Sequence, residues 1–163
     1  MNTIDIIKER YNQLQSNNGS SVLTPIETDA FNTFSTMGIP TVKHEEWKYT
    51  RISGVFNKEY AFNPESLHTT VYASDLEGIR LPGYEAANEL VFVNGLYSSQ
   101  LSTIRSADLT VLSLEEATKG EYRDLVLQHL GQSSKYINDG LNALNTAFAA
   151  EGIFMFVKRG KIV

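Results

Sequence analysis

Apolar residues at helical spacing open the chain. Ile4, Ile7 and Tyr11 recur at three- and four-residue intervals with Ile6 and Leu14 beside them, so residues 3–15 predict an amphipathic helix. Residues 16–22, SNNGSSV, interrupt it with polar and glycine positions. A second helix is punctuated at both ends. Thr24 is placed to cap it, Pro25 takes the first helical position, where an N–H would lack a helical partner, and Glu27 completes a capping box. Phe31 and Phe34 supply its buried face, Gly38 ends it, and Pro40 prevents continuation. Residues 41–50, TVKHEEWKYT, predict a short third helical segment with Trp47 and Tyr49 turned inward and the charges solvated. Gly54, Asn57 and Pro64 then break the chain. Residues 58–84 read as irregular, with short strands expected near Tyr60–Phe62 and His68–Tyr72.

The second half changes period. In residues 90–97, LVFVNGLY, two β-rich runs flank Asn94-Gly95. That pair predicts a tight type I′ hairpin, because both central residues must tolerate positive φ. Leu109–Leu114 predicts another strand. Helical pattern returns from Ser113 or Leu114 to Lys119 and again over Glu121–Leu130. Leu141, Leu144, Ala147 and Phe148 mark a last helix, ended by Gly152. The chain closes on IFMFVKRGKIV. The mixed-face apolarity of Ile153, Phe154, Met155, Phe156 and Val157 suits a strand buried on both sides. Such a strand either inserts in the hairpin sheet or opens a further domain, and the residues alone leave both open. The pattern as a whole is that of an α+β protein.

Composition narrows the picture by exclusion. A chain of 163 residues buries roughly 70% of its unfolded surface, enough for a real core. No apolar run approaches the roughly 20 residues of a membrane helix. The opening MNTIDIIKERYNQ carries charges inside the would-be apolar stretch, unlike a signal peptide, so a cytoplasmic location is expected and the sequon at Asn18 carries no meaning. The net charge is −5, and Lys and Arg divide evenly, seven in residues 1–80 and seven in 81–163. No basic footprint for nucleic acid results. With no cysteine, disulfides, thiolate metal sites and cysteine nucleophiles are excluded within the chain.

Candidate chemistry is sparse. His44-Glu45-Glu46-Trp47-Lys48 begins like a zincin helix, but the second histidine position holds Lys48, a cation. His44 with Glu45 or Glu46 as acid and base is the enzymatic alternative, although adjacent helical residues do not face one another. His68 and His129 show no metal-ligand spacing. Gly160-Lys161 is followed by Ile162, and Met155 stands where a phosphate loop needs its first glycine. A peptide-binding module that uses the terminal strand is a third class.

Three stretches carry a family resemblance. Gly38–Thr50, GIPTVKHEEWKYT, resembles the N-terminal signature of the SufD family, subunits of the SUF iron–sulfur cluster assembly machinery. The shared positions are Gly38, Pro40, Thr41, Lys43, Glu45, Trp47, Lys48, Tyr49 and Thr50. Leu90–Leu101, with Asn94 and Gly95, is similar to the family's hairpin. Leu141–Gly160, with Asn145, Ala147 and Phe148, is similar to its entry into the central domain. The matches carry over as structural positions, with no catalytic, cofactor or metal residue among them.

The resemblance implies a helix-rich α+β N-terminal domain with a small hairpin-containing sheet over residues 1–152. Residues 153–163 would then be the first strand of a truncated right-handed parallel β-helix. It further implies a non-catalytic scaffold that pairs with a SufB-type paralogue and carries a SufC-type ATPase. This fragment would hold no cofactor, whereas the full complex handles an iron–sulfur cluster through residues beyond Val163. Where the following coil is missing, self-association through Ile153–Val157 is expected, since unpaired strand edges beside apolar side chains recruit other strands.

Overall fold

A computed structural model describes residues 3–17, 21–58, 69–149 and 152–163. They fall into two compact units that alternate along the chain, one drawn from residues 1–61 and 124–150, the other from 62–123 and 151–163.

In the first unit the opening apolar periodicity becomes α1 (Thr3–Asn17), and the punctuated pattern after it becomes α2 (Thr24–Met37). One-turn α3 (Ser53–Phe56), α6 (Arg123–His129) and α7 (Gly140–Ala147) follow, α6 beginning at the boundary of the unit. The main packing joins α2 to α7. Leu23, Phe34 and Pro40 are fully buried, with Tyr11, Val126, Ala143 and Ala147 close behind. Small residues on α7 let it approach α2, and the aromatic rings fill the space beside them. Tyr11 stacks on Phe31 at 3.8 Å between ring centroids and meets Phe148 edge-on at 5.9 Å. Its hydroxyl donates to Thr28 Oγ1 at 3.3 Å, which gives the buried ring a polar partner.

The start of α2 differs from the expectation. Leu23 occupies the cap position with helical backbone (φ −83°, ψ −22°), so no side-chain oxygen caps the first turn. Thr24 Oγ1 instead accepts the Ser21 N–H at 3.1 Å, because the chain enters through a Ser21–Thr24 turn that runs straight into the helix. Glu27 is buried and accepts from Gln15 Nε2 of α1 at 3.3 Å rather than closing a capping box. Two other boundaries shift. The helical segment expected in 41–50 is a single 3₁₀ turn, Glu45–Trp47. The last helix ends at Ala147, where Phe148 leaves helical backbone (φ −110°, ψ 26°), and not at Gly152.

The second unit holds one-turn α4 (Ala73–Leu76), the hairpin strands β1 (Phe92–Val93) and β2 (Leu96–Tyr97), then β3 (Leu109–Ser113), α5 (Leu114–Lys119) and β4 (Ile153–Val157). Of the strands expected before Gly78, residues 69–72 are irregular backbone leading to α4, while Tyr60–Phe62 and His68 lie outside the described residues. The terminal strand does not join the hairpin. It pairs antiparallel with β3, from Leu109 opposite Val157 to Ser113 opposite Ile153. Bonds from Leu114 N to Gly152 O and from Lys158 N to Asp108 O extend the ladder at both ends. One edge of the terminal strand is therefore paired within the chain, on a sheet separate from the hairpin.

Phe154 and Phe156, two residues apart, share one face of the sheet and sandwich Tyr122 at 4.8 and 5.4 Å. On the other face Met155 and Val157 are 52% and 40% exposed, so the strand is covered on one side and not on both. Its continuous apolar run reflects a single covered face plus apolar residues left in solvent.

Candidate functional site

The segment Gly38–Thr50, which carries the sequence resemblance, is held to one end of α7. Gly38 closes α2 with φ 67°, a backbone that favours glycine, and its N–H donates to Phe34 O at 2.7 Å. Gly140 lies against its carbonyl. A Cβ on Gly140 would stand 1.8 Å from Gly38 O, so no larger residue fits at the start of α7. Pro40, fully buried, follows at once.

The next residues form a tight turn. His44 N donates to Thr41 O at 3.0 Å, Lys43 N to Thr41 Oγ1 at 3.3 Å, and Thr50 N to Trp47 O at 2.9 Å. This turn aims the indole of half-buried Trp47, whose Nε1 donates to Asp139 Oδ2 at 2.9 Å. The other oxygen of the same carboxylate accepts the Asn142 N–H at 2.8 Å and caps α7. One side chain therefore ends a helix and anchors the signature. Asn142 reinforces it by donating to Ile137 O at 2.8 Å and accepting from Ser133 Oγ at 3.0 Å.

The remaining signature residues face solvent. Lys43, Glu45 and Lys48 are exposed, and the Glu45–Lys48 pair at 4.0 Å contributes little in water. Tyr49 is 90% exposed, against the expectation that it turns inward with Trp47. Residues two apart on a helical turn point to opposed sides, so burying Trp47 sends Tyr49 outward. His44 folds back on its own turn, with Nδ1 3.0 Å from Thr41 N and 3.1 Å from Thr41 O, rather than onto Glu45 or Glu46. A groove of about 280 Å³ between α2 and α7 is lined by Ile26, Asp29, Thr33, Gly131, Asn142 and Thr146 among others. His44, Glu45 and Glu46 do not line it. Among the described residues no group of three or more histidines and acids is placed to hold a metal ion.

In the second unit the Asn94-Gly95 turn forms as expected. Its φ angles are 50° and 87°, Phe92 pairs with Tyr97, and Val93 pairs with Leu96. Asn94 Nδ2 also donates to Thr69 Oγ1 at 3.2 Å. A pair that the sequence did not announce lies nearby. Arg80 donates from Nε and a terminal nitrogen to the two oxygens of Glu89, at 2.9 and 2.7 Å, with both side chains less than one-fifth exposed. These hydrogen bonds hold the Glu89 carboxyl below its usual range, helped by the Arg80 and Arg105 charges, and raise Arg80 in turn. The guanidinium also lies over the Tyr84 ring at 4.7 Å. The capping box missing from α2 appears instead on α5. Glu116 N donates to Ser113 Oγ at 3.1 Å, while Ser113 N and Oγ donate to Glu116 Oε2 at 3.0 and 2.8 Å. Those bonds lower the Glu116 carboxyl.

Residues 2–163 match the family model described as the SufBD protein N-terminal region. The chain belongs to the SufBD family. No curated protein and no solved structure matches it. Membership places the chain in SUF iron–sulfur cluster assembly, in a family of scaffold components that act with other SUF proteins. Among the described residues no helix is long and apolar enough to cross a membrane. In this chain the Trp47–Asp139 bond fastens the turn that follows α2 to the start of α7.

Proposed function

We propose that the chain is the N-terminal domain of a SufD-type scaffold subunit, non-catalytic and cytoplasmic, working in a SufBCD-type complex. The match of the family model across residues 2–163 carries this reading. The SufD assignment rests on the resemblance of Gly38–Thr50 to that subfamily's signature, whose buried members act in packing. In the same reading residues 1–152 form the domain and β4 leads into a right-handed parallel β-helix. A SufB-type paralogue and a SufC-type ATPase are the partners, and the iron–sulfur cluster is cargo of the complex, with no cofactor resident in this chain. Self-association through Ile153–Val157 belongs to it as well, supported by the exposure of Met155 and Val157 on one face of β4.

Co-expression with the SufB-type and SufC-type proteins of the same organism tests the reading. A tagged chain is expected to retain at least one of them through size exclusion. Retention of neither overturns the complex. Turnover of a substrate that is lost on His44→Ala would restore the enzymatic alternative.

A further inference from the structure

We infer that Ile79 and Leu81 form a docking knob for another protein subunit, one that offers an apolar cleft rimmed by Lys and Arg side chains. The two residues are 73% and 78% exposed, among the most exposed large apolar side chains of the chain. Isolated exposed apolar residues are common, but these two flank a residue held inward. Arg80 is clamped by Glu89 through two hydrogen bonds and covered by the Tyr84 ring. Gly83, at φ 88°, turns the chain back so that Tyr84 reaches the guanidinium. Glu89 is itself fixed to Thr103 by backbone bonds in both directions at 2.8 Å. With its centre pinned in this way, the segment cannot rotate to bury either neighbour. Ordering is thus complete before any partner arrives, which lowers the entropic cost of binding.

The charges around the knob select the partner. Asp75, Glu77 and Glu85 are exposed in the same stretch; its one cation, Arg80, is already neutralised by Glu89, and Arg105, which reaches Ala87 O and also acts on Glu89, leaves the acids in excess. An acidic surround disfavours anionic lipid and nucleic acid and favours a basic rim, while the two aliphatic side chains require an apolar floor.

The inference rests on the proposed complex, and the experiment separates the two. Affinity of the chain for the SufB-type and SufC-type proteins is measured for the wild type, for Ile79→Ser with Leu81→Ser, and for Glu77→Lys with Glu85→Lys. The serine pair is expected to melt with the wild type, since neither side chain is buried, and to bind roughly tenfold or more weakly. The lysine pair is expected to weaken binding at low salt, with the deficit fading as salt rises. If the wild type binds and the serine pair binds equally, the knob is refuted and the complex stands. If the wild type binds neither protein, the complex fails and the knob with it. Should the serine pair melt early, Ile79→Thr with Leu81→Gln replaces it, and undiminished binding by that folded variant overturns the inference.

Discussion

Asp139 shows what one carboxylate does when both oxygens are committed. Removing it strips α7 of its cap and Trp47 of its acceptor, so Asp139→Ala is expected to cost about 2–3 kcal/mol in chemical denaturation. Trp47→Phe keeps most of the packing and loses the indole donor, at about 1–2 kcal/mol. The double variant should cost less than the sum, because each single change already breaks the shared bond. Full additivity would show that the bond is absent in solution. Gly140→Ala is harsher, since its Cβ meets backbone and not a mobile side chain; roughly 3 kcal/mol or more is expected. Trp47 was legible as an anchor, being one large apolar group among charges. Asp139 was not, because its role depends on a partner 92 positions away, although Asp139-Gly140 ahead of an apolar run is a local cap signal. Glu89 yields a pH prediction. Its folded value lies below its unfolded one, so between them the unfolded chain binds more protons and stability falls as pH falls. The loss begins near the ordinary glutamate range and continues through the depressed folded value. Glu89→Gln should flatten that part of the stability–pH curve, and an unchanged slope would assign the acid sensitivity to other groups.

Elements formed where the sequence holds a complete local signal and drifted where the signal is shared with a distant partner. Asn94-Gly95 needs only its own backbone preferences, and the type I′ turn follows from them. Gly95 has no atom within 4 Å of a would-be Cβ, so Gly95→Val acts through conformation alone. At φ 87° the expected cost is about 1–2 kcal/mol, with loss of the Phe92–Tyr97 contact visible in aromatic NMR shifts. An unshifted Tyr97 resonance would show that the hairpin tolerates the side chain. The capping boxes make the opposite point. Thr24 and Glu27 satisfy the spacing, yet Ser21 claims the hydroxyl and the buried interior claims the carboxylate. Ser113 and Glu116 satisfy the same spacing after a strand, with no competitor, and the box closes. Spacing identifies candidates; the entry angle of the chain and the burial of the acid decide between them. The faces of β4 were illegible for a related reason. An all-apolar strand does not reveal whether a second layer covers it, and here only the side facing Tyr122 is covered.

At the scale of the whole molecule the consequential feature is that each unit is assembled from two separated stretches of chain. The second unit gains β4 only after the chain has returned from α7. Without β4, β3 loses all five of its paired partners and Tyr122 loses both phenylalanine rings. The α5 helix loses the strand beside it, while its capping box, which is local, remains. An isolated strand has no independent stability, so β3 cannot persist alone. The first unit keeps the α2–α7 packing, the Tyr11–Phe31–Phe148 cluster and the Trp47–Asp139 bond, none of which involves residues after Phe148. Deleting residues 152–163 should therefore abolish amide hydrogen-exchange protection over Leu109–Ser113 and leave it over Thr24–Met37 and Gly140–Ala147. Protection retained in β3 would mean that the second unit is held by α5 and the hairpin, with β4 an accessory strand. Protection lost in α2 and α7 as well would mean that the two units fold as one cooperative whole. The tryptophan emission reports the same distinction independently, because Trp47 is the sole tryptophan and belongs to the first unit. An emission maximum that stays put on deletion while β3 exchanges freely is the outcome expected from separable units.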